Sequence, residues 1–191
     1  DERPVPEAEW VPSNSNAFVL APTPGGALMV YNPNAGNVWR VARLAPGEWP
    51  TPRSGTPHAN VYQAAITFDG SHHLLFYYEN GAIYAREIGT DAVWQGEGSI
   101  VPLPPPGVNL SRRSFRAASH PGGTLVAYVD NENSYDTGAA QVVALDLDHV
   151  PLTTPTVIDT AQSVVLAYGD DRHLAVTTAG DARRATLVGV V

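Results

Sequence analysis

Apolar residues along this chain come in short runs that break at turn-forming residues, and the pattern recurs four times. The clearest copy is 62–88, YQAAITFDGSHHLLFYYENGAIYAREI, three apolar runs divided by Asp69-Gly70-Ser71 and Glu79-Asn80-Gly81. Asp-Gly and Asn-Gly suit the positive φ angles of hairpin turns, so this copy predicts a three-stranded antiparallel meander. Four ten-residue segments, 17–26, 62–71, 114–123 and 163–172, align without gaps, each passing from small or apolar residues into a turn. A second strand follows each, at 27–31, 73–77, 124–128 and 173–177, with Leu28, Leu74, Leu125 and Leu174 in register. Third strands are predicted at 37–43, 82–88, 141–147 and 184–190, and weaker fourth strands at 47–52, 92–101 and 155–161. Turn starts at Gly25, Gly70, Gly122 and Asp171 are 45, 52 and 49 residues apart, a period expected of propellers and arrays.

The last meander has no fourth strand after it, whereas 8–13, AEWVPS, precedes the first and carries Trp10 in the manner of the Trp49 and Trp94 segments. The expected fold is therefore an all-β, four-bladed propeller forming a single domain over 1–191. Its blades fall at about 17–52, 62–101, 114–161 and 163–191, the last completed by 8–13, which leaves no free edge there. The alternative is half of a larger propeller completed by a second chain. ITFDGSHHLLFYYENGAIYARE (66–87) resembles the TolB-like, WD-like family of propeller blades, and the likeness extends over all four units. The resemblance implies architecture and an exported protein rather than a particular activity. Regulatory WD repeats are not matched, because no Trp-Asp dipeptide and no Gly-His pair occurs.

Composition narrows function mainly by exclusion. The net charge is −8 and all 11 basic residues are arginine, so no basic footprint for nucleic acid and no lysine chemistry is expected. With no cysteine there is neither a disulfide nor a thiolate nucleophile. No apolar run reaches the roughly 18 residues of a membrane-spanning helix. The chain opens with Asp1-Glu2-Arg3-Pro4, like a trimmed mature product, and the resemblance to TolB-like propellers implies an extracytoplasmic location, secreted or in the cell envelope.

Candidate chemistry gathers on the long connections, where binding residues concentrate on rigid scaffolds. The stretch 97–113 carries Pro102, Pro104, Pro105 and Pro106 before Asn109, Arg112 and Arg113, a stiff strip with guanidinium groups suited to carboxylates. The stretch 130–138, DNENSYDTG, offers Asn131, Asn133 and Tyr135, a mixture suited to protein or glycan recognition. Arg53 and His58 lie on the connection that shares the same face. These residues form the expected partner-binding surface, with a protein as partner and a glycan as the alternative. Asp130, Glu132, Ser134 and Asp136 alternate as calcium ligands do, but Tyr135 replaces the required glycine and the closing acid is missing. No catalytic motif occurs, no cofactor is expected, and the four inner strands at 17–22, 62–67, 114–119 and 163–168 hold no Asp or Glu. Glycosidases need a carboxylate pair, so a non-enzymatic interaction module is expected. In the alternative, a lectin-like propeller, Trp10, Trp49 and Trp94 would stack on sugars. His73 and His173 occupy equivalent positions at the start of the second strand, where a structural role at a hairpin end is expected.

Overall fold

A computed structural model describes residues 18–31, 39–47, 53–55, 63–79, 82–101, 110–130 and 136–189. The described residues form strands and turns with no helix, arranged as four antiparallel sheets that each run in sequence order. The first sheet is β1 (Phe18–Thr23), β2 (Gly26–Tyr31), β3 (Trp39–Leu44) and β4 (Arg53–Gly55). The second is β5 (Gln63–Phe68), β6 (His73–Glu79), β7 (Ala82–Ile88) and β8 (Trp94–Val101). The third is β9 (Leu110–His120), β10 (Gly123–Asp130), β11 (Gly138–Leu145) and β12 (Thr156–Ala161). The fourth holds β13 (Ser163–Gly169), β14 (Arg172–Ala179) and β15 (Ala182–Gly189).

Turn chemistry fixes each hairpin. Pro24 presets φ for the first turn and Gly25, at φ +77°, takes the left-handed position that follows it. In the fourth sheet Asp170 and Asp171 both adopt positive φ, +50° and +58°, as a two-residue hairpin turn of type I′ requires. The second sheet differs. Its connection runs over four residues, 69–72, tied by Asp69 Oδ1, which accepts the Ser71 and His72 amides at 2.7 Å each. This corrects the gap-free alignment by one residue. Phe68 faces His73 across the hairpin, as Pro22 faces Ala27, Ser119 faces Thr124 and Tyr168 faces His173.

The period-two alternation gives every sheet a forward face, toward the next sheet, and a rear face toward the one before. Forward residues Leu28, Val30 and Val41 of the first sheet pack against rear residues Ile66, Leu75 and Tyr77 of the second. Forward Leu74, Phe76 and Ala85 then meet rear Phe115, Val126 and Tyr128 of the third. Forward Leu125, Ala127 and Val142 in turn meet rear Val164 and Ala175 of the fourth. First strands adjoin in the same series, β1 on β5, β5 on β9 and β9 on β13. Ala64, Ala65 and Ala118 are buried on these first strands, where small side chains permit close approach. At the ends of the series, among the described residues, β13 and β1 lack the close contact that joins the other first strands. Residues 8–13, expected to close the last blade, lie outside the described residues.

The same turn-end position also carries the polar ties between sheets. His73 Nε2 donates to the Pro22 carbonyl of the first sheet at 3.0 Å, and His173 Nε2 donates to the Ala118 carbonyl of the third at 3.1 Å. Between the second and third sheets, Thr67 Oγ1 accepts the Ser119 amide at 2.8 Å, and the Ser119 hydroxyl contacts Thr124 Oγ1 at 2.9 Å. Both histidines are buried, and burial holds the pKa of each below the usual imidazole value, against the pull of the carbonyls they bond. His72, in the connection, is exposed, whereas His73, the first residue of β6, is buried. The structural role expected for His73 and His173 is met by an interaction between sheets rather than within one hairpin.

Candidate interaction surfaces

The connections between second and third strands, and between fourth and next first strands, emerge at one end of each sheet. In the third sheet the register sets Leu110 of β9 opposite Asp130 of β10, after a bulge that follows the Phe115–Tyr128 pair. The start of β9 and the end of β10 therefore lie side by side. The expected loop 97–113 is shorter than the sequence suggests. β8 continues to Val101 and β9 starts at Leu110, so Arg112 and Arg113 stand on a strand and not on a loop. Arg53 is the first residue of β4, paired with Val41 of β3. His58, Asn109, Asn131, Glu132, Asn133, Ser134 and Tyr135 lie outside the described residues. Of the calcium-like set, Asp130 ends β10 and Asp136 precedes β11. Just inside this end, Tyr128 is buried, and burial together with the nearby Asp130 carboxylate pushes its phenol up to about 12. Its hydroxyl donates to Gln141 Oε1 at 3.4 Å.

The loop-bearing end of the third and fourth sheets is pinned by a second polar cluster that sequence reasoning missed. Asp159 of β12 reaches across to β14, where the Thr177 hydroxyl donates to Oδ2 at 2.6 Å, and Arg184 of β15 lies 3.6 Å from Oδ1. Those contacts, the Thr177 bond foremost with the Thr160 amide next, hold the Asp159 carboxyl below the ordinary carboxylate range. The Gln162 amide donates to the Thr178 carbonyl at 2.7 Å and the Gly180 amide to Gln162 Oε1 at 3.0 Å. Polar residues scattered between Asp159 and Arg184 give no motif, which is why the cluster escapes a linear reading. It fixes the relative placement of two sheets and brings no catalytic pair together.

Trp94 does not present an open aromatic shelf. The Arg86 guanidinium sits 4.8 Å from its ring centroid, held by a 2.8 Å bond from Nη2 to the Gly96 carbonyl. The indole also packs against the core between the first two sheets. A cation thus occupies one face of the ring and the core touches the indole, which reduces the surface on which a pyranose ring would stack.

The largest departure from expectation is apolar. Leu28, Leu74 and Leu125 are 0%, 4% and 4% exposed, yet Leu174, in the same register of the fourth sheet, is 39% exposed. Cross-strand rows Ala167–Leu174–Leu187 and Val165–Val176–Ala185 make the forward face of this sheet apolar, with Leu187 64% exposed. At its turn end Tyr168, Arg172, Leu174 and Leu187 line an open depression of about 630 Å³. At the other end of the series, the rear face of the first sheet presents exposed Leu20 beside half-buried Met29 and Leu44. The sequence signal for this surface is the apolar alternation of β13 to β15, identical in kind to that of the buried sheets. No family model and no curated protein matches this chain.

Proposed function

We propose that the four sheets are successive blades of a β-propeller of the TolB-like, WD-like kind. On this reading the chain is a non-enzymatic, extracytoplasmic interaction module that binds a protein through its loop-bearing end. The supporting observation is the third-sheet register, with Leu110 opposite Asp130. It sets the start of β9, the strand of Arg112 and Arg113, beside the end of β10, after which Asn131, Asn133 and Tyr135 follow in sequence. Guanidinium groups and an aromatic ring are a combination suited to protein recognition, because Arg and Tyr are among the side chains that most often carry binding energy at interfaces. Affinity capture from an extracellular or envelope extract tests the reading. The expected result is a protein retained by the wild-type chain and lost by an Arg112→Ala/Arg113→Ala/Tyr135→Ala variant of unchanged melting temperature. Equal retention by both contradicts it.

A further inference from the structure

We infer that the forward face of the fourth sheet is a self-association surface that receives the rear face of the first sheet of a second copy of this chain. Three times within the molecule a forward face packs on a rear face, with the same strands and the same register positions in contact. That repetition leaves the forward face of the fourth sheet and the part of the first sheet's rear face around Leu20, Met29 and Leu44 as matching halves of the same interface, Tyr31 and Ala42 of that rear face being buried already. Both carry apolar side chains at the required positions. Val165, Ala167 and Leu174 stand where Val19, Ala21 and Leu28 stand in the first sheet, and Leu20 and Met29 stand where Ile66 and Leu75 stand in the second. Large exposed apolar side chains aligned in rows mark association sites. Among the described residues β1 and β13 lack the close contact that joins the other first strands, so the pairing inferred for these faces is one between copies.

Such a contact is head-to-tail. It closes when the rotation accumulated over four sheets brings the second copy back onto the first. Two copies related by a twofold axis make two such contacts and complete a ring of eight sheets, the upper end of the usual propeller range. The inference rests on the blade reading and specifies one partner, the chain itself; the loop-bearing end remains free for another.

The absence of cysteine makes the test clean. Equimolar Leu20→Cys and Val165→Cys single variants are mixed, treated with a short bis-maleimide, and the product is sized and its linked peptides identified. The expected product is a covalent dimer of twice the 20.3 kDa chain mass, joining residue 20 of one copy to residue 165 of another. Light scattering on the untreated chain is expected to give the same doubled mass. Leu187→Glu or, independently, Leu20→Glu raises the apparent dimer dissociation constant about tenfold or more. Both sites are already exposed, so circular dichroism and melting are expected to stay unchanged. A single-chain mass with no 20–165 link between copies overturns the inference. In that event the Leu20→Cys/Val165→Cys double variant separates the two ideas. A link within one chain means a ring closed on itself, which leaves the blade reading standing, and no link means that these faces never meet.

Discussion

The second and fourth sheets are built from nearly the same alternation, yet one is covered on both faces and the other on one only. Leu74 and Phe76 of the second sheet face the third, and Leu75 and Tyr77 face the first. In the fourth sheet Ala175 is buried against the third, while Leu174 beside it looks outward. A strand's sequence therefore specifies which residues are able to be buried, and its place in the series decides which are.

The comparison is sharpest where a side chain is large and enclosed. Phe76→Ala, at the heart of the contact between second and third sheets, is expected to cost about 3–5 kcal/mol in urea unfolding. A cost below about 1 kcal/mol contradicts the packing described. The paired test is Leu74→Ala against Leu174→Ala. The first is expected to cost about 2–5 kcal/mol and the second roughly 1, because a partly exposed leucine gives up less burial and leaves no closed cavity. Equal costs for the monomeric chain contradict the difference in exposure. Thr67→Val tests the polar tie within the covered region. It removes the acceptor of the buried Ser119 amide and is expected to cost about 1–3 kcal/mol, whereas Thr186→Val on the fourth sheet is expected to fall within about 0.5.

The smallest effect is a dependence on pH. His73 and His173 have folded pKa values below the ordinary 6.5, so both are neutral when folded and take up protons more readily when unfolded. Their contribution is fully present above about pH 6.5 and is lost as pH falls from there through the lower folded values. Melting temperature is expected to drop over that interval, and the drop is expected to shrink in the His73→Gln variant. A profile left unchanged by the substitution excludes this histidine as a source.

Much of the fold was legible because its determinants are local. Pro24-Gly25 and Asp170-Asp171 announce their turns, and the leucine register marks the second strands. The length of the 69–72 connection was not, since Asp69-Gly70 reads equally well as a two-residue turn. Arg112 and Arg113 looked like loop residues because the proline run before them hides where β9 begins. His73 and Pro22 are 51 positions apart, and His173 and Ala118 are 55, so neither bond leaves a trace in spacing. The open face of the fourth sheet was hidden for the opposite reason: its pattern is that of a buried sheet, and only the packing shows that nothing described here covers it.

Thiol labelling rates at residues 125 and 174 measure that difference most directly. Leu125→Cys and Leu174→Cys are compared in a Leu20→Glu background that holds the chain monomeric. The thiol at 174 is expected to react with a maleimide at least about a hundredfold faster than the thiol at 125, in line with 39% against 4% exposure. Equal, slow labelling at both positions means that the fourth sheet is already covered within one chain, and contradicts the account.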